Sequence, residues 1–152
     1  MPLTILRATS LEHMDAAREL FREYASALGV DLSFQDFEHE VKDLPGEYSE
    51  PNGCILLAHL DFTLVGCVGL RPLSSEICEM KRMYVRPKFR GQGMGRILAE
   101  EVIAEARKRG YRRMRLDSLP MMREAQALYR SLGFTEIDAY KSLWNVRLLG
   151  TC

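Results

Sequence analysis

Ile77-Cys78-Glu79-Met80-Lys81-Arg82-Met83-Tyr84-Val85-Arg86-Pro87 and, two residues further on, Arg90-Gly91-Gln92-Gly93-Met94-Gly95 decide the fold of this chain. A strand-like run stops at Pro87, three glycines fall within five positions, and an amphipathic helix pattern follows. The glycines remove Cβ atoms from one side of the turn, so backbone N–H groups can converge on an anion. The helix behind them adds its unpaired first-turn N–H groups and positive dipole end. Each N–H bond to a charged oxygen contributes roughly 1.5–3 kcal/mol, and the dipole roughly 0.3–1 kcal/mol. Gly91 to Arg96 therefore read as a phosphate-holding loop. It is not a Walker loop, because Arg96 and Ile97 follow Gly95 where Lys and Ser/Thr would be needed. The dinucleotide fingerprint fails as well: the spacing is G-x-G-x-G, and no βαβ unit opens the chain.

Working outward, Ile77 to Val85 is a strand, preceded by a hairpin of Cys54 to Leu60 and Leu64 to Leu70 around Asp61-Phe62-Thr63. Earlier still, a strand over Leu3 to Ala8 leads into Thr9-Ser10-Leu11-Glu12, a capping-box pattern. The helix it starts runs to Leu28, with Leu11, Met14, Ala17, Leu20, Phe21 and Tyr24 as its apolar face. A short helix over Ser33 to Leu44 and a Pro/Gly-bearing loop, Pro45 to Gly53, complete this half. On the other side, the loop opens a helix over Gly93 to Arg109, with Ile97, Leu98, Val102, Ile103 and Ala106 inward and Gly110 as cap. A strand over Arg112 to Asp117, a helix over Met122 to Leu132 and strands over Phe134 to Lys141 and Leu143 to Leu149 follow. The strand–helix–strand unit at 77–117 makes its two strands parallel, whereas the hairpin is antiparallel, so the sheet is mixed. The expectation is an α/β (α+β) domain spanning 1–152, with a mostly antiparallel twisted sheet of about seven strands and about four helices.

A chain of 152 residues can bury roughly 70% of its unfolded surface without disulfides. Cys54, Cys67, Cys78 and Cys152 lack C-x-x-C spacing, and His13, His39 and His59 are scattered, so no metal site is expected. No signal peptide or membrane span is visible, and a reducing cytoplasmic location follows. Net charge is zero but unevenly spread: residues 81–115 hold 12 basic and 3 acidic residues, residues 1–60 hold 4 and 11. The basic block contains the phosphate loop, which suits a polyanionic ligand. Glu12, Asp15, Glu19 and Glu23 lie on one helix face, either as solvated surface or as an attraction for a cationic amine.

Arg90-x-x-Gly93-x-Gly95, with Glu79 to Pro87 before it and a helix after it, resembles motif A of the Gcn5-related N-acetyltransferases. Ala125-Gln126-Ala127-Leu128-Tyr129-Arg130-Ser131-Leu132-Gly133-Phe134 is similar to that family's later motif. The resemblance implies acetyl-CoA as cosubstrate, with no metal, and acetyl transfer to a primary amine, a small molecule being favoured. It implies that the fourth and fifth strands splay, and that the main chain of Met83, Tyr84 and Val85 pairs with the pantetheine arm as an added strand would. The N–H groups of Gly91, Gln92, Gly93, Met94, Gly95 and Arg96 would take the diphosphate, flanked by Arg90 and Lys88, and a strand-end N–H would hold the thioester oxygen. Glu79 matches the position of a glutamate general base, where desolvation in mid-sheet suits a proton acceptor. The competing reading is a surface glutamate paired with Lys81 or an arginine, and His59, Glu76 and Asp117 are further base candidates. Tyr129 matches the tyrosine that protonates the departing thiolate, and otherwise reads as a helix-core aromatic. Met122 stands where many relatives carry a cofactor-contacting asparagine, so Asp117, Ser118 or the Leu119-Pro120 backbone would have to replace that contact.

No cysteine lies at a helix N-terminus, so direct transfer in a ternary complex is expected over an acyl-enzyme. Two other functions fit parts of the pattern: a CoA-binding sensor without turnover, and a toxin-type enzyme acting on charged tRNA, although nucleic acid is not the expected partner. Asn145 to Leu149 offers an edge for pairing in a homodimer.

Overall fold

The computed structural model describes residues 2–29, 36–118, 122–138 and 143–148. Within them, strands β1 (Leu3–Arg7), β2 (Cys54–Leu60), β3 (Thr63–Pro72), β4 (Ile77–Val85), β5 (Arg113–Asp117), β6 (Thr135–Asp138) and β7 (Leu143–Arg147) form one seven-stranded sheet. Their spatial order is β1-β2-β3-β4-β5-β7-β6, and only β4 and β5 pair in parallel among the described strands. Helices α1 (Leu11–Leu28) and α2 (Phe37–Lys42) cover one face, and α3 (Met94–Lys108) and α4 (Arg123–Ser131) the other. The predicted fold class is the observed one. Residues 1, 30–35, 119–121, 139–142 and 149–152 lie outside the described set, and with them the predicted start of the second helix and the ends of the last two strands.

Period-2 alternation builds two cores from the same strands. On β2, Leu56 faces α3 while Ile55 and Leu57 face α1 and α2, all at 2% exposure or less. Each such side chain contributes roughly 1.5–3 kcal/mol through the apolar area it removes from water. Two predicted core positions fall outside. Ser10, one residue later than expected, caps α1: its Oγ accepts the His13 N–H at 3.1 Å, and His13 Nδ1 accepts the Ser10 N–H in return at 3.3 Å. Leu11 is thereby the first helical residue, and it is 86% exposed. On α3 the buried stripe is Met94, Leu98, Ala99, Val102, Ile103 and Ala106, with Ile97 exposed on its flank. Conversely, Tyr48, in the stretch read as a loop, is buried where the missing side chain of Gly69 makes room: a Cβ there would sit 2.7 Å from its ring.

Two departures from regular pairing shape the centre of the sheet. The β4–β5 ladder ends at Glu79↔Arg115, although β4 runs on to Val85 and β5 to Asp117. Residues 80–85 of β4 thus keep β3 on one side and have no described strand on the other. In the same segment Arg82 bulges, with φ +58, between the pairs Gly69↔Lys81 and Cys67↔Tyr84. A bulge adds one residue and reverses the alternation beyond it. Its guanidinium is buried (4% exposed) and donates to both Glu40 oxygens, from Nε at 3.0 Å and from Nη2 at 3.1 Å, while its carbonyl accepts the Cys67 thiol. The edge predicted at Asn145 onward is not one: Asn145 is opposite Arg115 on β5 and Thr135 on β6, so β7 is flanked on both sides. The sheet's outer strands are β1 and β6.

Candidate active site

Where β4 and β5 part, a cavity of about 60 Å³ opens, lined among others by Glu79, Lys81, Asp117, Leu116, Met122 and Tyr129. It shares Tyr24, Met83 and Met122 with a wider groove of about 540 Å³. That groove runs between the end of α1, residues 83–85 of β4, Arg90 and the first turn of α4. Glu79 and Tyr129, 50 positions apart in sequence, therefore reach one cavity. They come to it from opposite faces: the neighbours of Glu79, Cys78 and Met80, pack in the α3/α4 core, as does Tyr129 itself.

Glu79 is buried at 5% exposure and accepts Arg71 Nε at 2.6 Å; Arg71 Nη1 also meets Glu47. Of the two partners in the competing reading, Lys81 or an arginine, the structure has the arginine: Arg71, directly opposite on β3, pairs with Glu79, which is buried rather than on the surface. Asp117 projects from the end of β5, and desolvation, then the charge of Glu79, pushes its carboxyl above the ordinary range. Lys81 is partly buried, and desolvation together with the Arg82 charge lowers its pKa. Tyr129 is 5% exposed and meets Phe134 edge-on, with ring centroids 5.8 Å apart; burial raises its phenol well above 10. The other base candidates are elsewhere. Glu76 lies beside Arg112 on the surface, and His59 on β2 lines neither cavity. Ser118 is buried outside both linings, and Leu119-Pro120 lies outside the described residues.

The glycine loop has the predicted form. Gly91 and Gly93 take φ +80 and +83, and a Cβ built on either meets nothing within 4 Å. The first α3 hydrogen bond runs from the Ile97 N–H to the Gly93 carbonyl at 3.2 Å, so Met94, Gly95 and Arg96 have no intrahelical acceptor. Gly91, Gln92 and Gly93 are exposed, leaving an open cradle of donors at the dipole's positive end. Arg90 does not lean over it: its Nε donates to the Val85 carbonyl at 2.8 Å, and its guanidinium sits 5.6 Å from the Tyr84 ring centroid. Lys88 is exposed, and the Arg96 side chain donates to Ser131 Oγ on α4.

Sequence reasoning missed Tyr24 and Lys81 as cavity residues and left open which arginine pairs with Glu79. Tyr24 fits helical periodicity as a core residue, and only its position at the seam of both cavities distinguishes it. Of the acidic row on α1, Glu19 and Glu23 hold Arg86, with Glu23 Oε2 2.7 Å from Nη2, and Glu23 also accepts the Tyr84 hydroxyl at 3.3 Å. That half of the row ties α1 to the end of β4.

Residues 14–134 match the family model described as Acetyltransferase (GNAT) family. An uncharacterized N-acetyltransferase of Schizosaccharomyces pombe is 37% identical over 131 residues, covering 85% of this chain and 80% of that protein. Among solved structures, a GNAT-family acetyltransferase from Staphylococcus aureus superposes with TM-score 0.80 at 18% identity, over 97% of this chain and all of that one. An N-acetyltransferase from Thermoplasma acidophilum, solved in complex with coenzyme A, gives TM-score 0.76 at 21% identity, covering 97% and 99% of the two chains. At these identities the two structures speak for the fold.

Proposed function

The chain belongs to the acetyltransferase (GNAT) family, and from that premise we propose that it transfers the acetyl group of acetyl-CoA to a primary amine by direct attack in a ternary complex. One observation carries the reading: the open edge of β4, bounded by the glycine loop, leads into a cavity lined by both Glu79 and Tyr129.

The cradle fits a diphosphate, since the space a side chain would fill is open and the first-turn donors are unpaired. In this reading the N–H groups of Gly91 to Arg96 hold the phosphates, and the side of Met83, Tyr84 and Val85 that faces away from β3 aligns the pantetheine arm. Arg90 must then leave the Val85 carbonyl, which frees it to flank the phosphates. An N–H at the end of β4 stabilises negative charge as it develops on the thioester oxygen. Glu79 removes the proton from the attacking ammonium, directly or through a water, with Asp117 as the second reading because its raised pKa suits a proton acceptor. Tyr129, held in its protonated form by burial, gives its proton to the leaving thiolate.

Direct transfer is supported by the thiols. Burial pushes Cys54 to about 11 and Cys78 to about 12, and raises Cys67 further, so none is a ready thiolate. None of the described helices is long and apolar enough to cross a membrane. Thiol release from acetyl-CoA across an amine panel tests the proposal. Tight acetyl-CoA binding with no thiol release on any amine would favour the sensor instead.

A further inference from the structure

Both signs of charge line the cavity proposed for acetyl transfer. Glu79 and Asp117 supply two carboxylates, while Lys81 stands two residues along β4 from Glu79. Arg115 lies directly across from Glu79 in the β4–β5 register, and Asn145 directly across from Arg115 on β7. Because Met114, Leu116, Trp144 and Val146 all pack in the α3/α4 core, alternation turns Arg115, Asp117 and Asn145 to the opposite face, the one Glu79 shares.

The two carboxylates suit an ammonium. Lys81 feels Glu79, Glu40 and Asp117 only at longer range. Among the described residues neither Lys81 nor Arg115 has an ion-pair partner, whereas Arg71, Arg82 and Arg86 are each paired. Arg115 Nε and Asn145 Oδ1 are buried and make no hydrogen bond among the described residues. Arg115 Nε is thus an unsatisfied donor and Asn145 Oδ1 an unsatisfied acceptor, and buried polar groups are ordinarily paired, so these two, in register beside Glu79, are completed by a ligand that brings both an acceptor and a donor. Lys81 points the same way, because an incoming anion offsets the desolvation and Arg82 repulsion that disfavour its charge.

We propose that the acceptor is an amino acid: Lys81 and Arg115 bind its carboxylate while Glu79 and Asp117 receive its ammonium. Spacing agrees. Alternate residues on a strand stand about 6.5–7 Å apart and neighbouring strands about 4.8 Å, so both cations lie within a small zwitterion's span of Glu79. The inference rests on the acetyl-transfer reading of the site and names the substrate class for it.

The test uses matched pairs differing by one carboxylate: phenylalanine against phenethylamine, serine against ethanolamine, glutamate against 4-aminobutyrate. The kcat/KM ratio within each pair is read from thiol release, and calorimetry reports amino acid binding to the CoA-loaded protein. The wild-type ratio should favour the amino acid by roughly ten- to a hundredfold, the worth of one charge-assisted hydrogen bond. Lys81→Met and, independently, Arg115→Gln should each collapse that ratio, and Lys81→Arg should restore most of it. Amines used as well as their amino acids, or ratios unmoved in both variants, overturn the inference and leave acetyl transfer standing. Amino acid binding that depends on Lys81, without thiol release, upholds the zwitterion site and overturns acetyl transfer. Neither binding nor thiol release with any amino acid overturns the inference outright.

Discussion

Gly93→Val isolates the phosphate cradle. Gly93 is the N-cap of α3, with φ +83 and ψ 6, and a Cβ there meets nothing within 4 Å. The added Cβ meets no protein neighbour, so the stability effect is chiefly torsional. An L-residue in the left-handed region costs roughly 1–2 kcal/mol, and a β-branched one sits at the upper end or above. For a chain of this size 2 kcal/mol lowers Tm by about 4–8 °C. If the backbone relaxes instead, the stability loss shrinks but the N–H groups of Met94 and Gly95 turn away from the cradle. Losing two charge-assisted bonds at roughly 1.5–3 kcal/mol each weakens acetyl-CoA binding by about two powers of ten or more. Gly95→Ala is the control. Gly95 lies inside α3 with ordinary helical backbone, and its added Cβ would rest 3.8 Å from Leu128 Cδ2, a normal contact. Helix propensity should then raise stability by roughly 0.5–1 kcal/mol, with acetyl-CoA affinity kept within about threefold. Thermal denaturation and calorimetric titration with acetyl-CoA read both quantities. A Gly93→Val protein that melts and titrates like the wild type would sink the cradle.

Glu40→Ala leaves the buried Arg82 guanidinium without its carboxylate and should cost about 3–5 kcal/mol in denaturant unfolding, with weakened acetyl-CoA binding as the β4 bulge loosens. A loss under 1 kcal/mol would show that the pair does not hold the bulge. Tyr129→Phe should lower kcat by about a hundredfold or more while acetyl-CoA affinity stays near the wild-type value, and undiminished turnover would remove Tyr129 as the acid. Glu79→Gln deletes one of the charges that raise the Asp117 pKa, so the Asp117 midpoint should move down when followed by carboxyl carbon NMR. If that variant also keeps full rate with an unchanged pH profile, Asp117 or a water chain is the base.

Local chemistry made the scaffold legible. Pro87, the three loop glycines and Gly133 punctuate the chain where the elements end, and the strand at Ile77–Val85 has the predicted bounds. The capping box moved by one residue because an imidazole Nδ1 can accept the backbone N–H as a glutamate carboxylate would, a substitution the S/T-x-x-E pattern does not anticipate. The cavity was only half legible for a different reason. Glu79 and Tyr129 carry local patterns, but Tyr24, Lys81 and Asp117 join them through events that no local window records. The β4–β5 ladder must stop at Glu79, and Arg82 must bulge so that its guanidinium turns to the face that Glu79 and Lys81 already share by alternation. That bulge is secured by Glu40, 42 positions earlier and on another element. An alternating pattern read along β4 without the bulge assigns Met83 and Val85 to the Glu79 face, whereas both pack against the α3/α4 core. The proposed acceptor chemistry is written in side chains that strand register, rather than sequence spacing, brings together. The proposed diphosphate cradle, made of backbone and glycine, is therefore readable from six consecutive residues, and the proposed acceptor site only once the register of four strands is known.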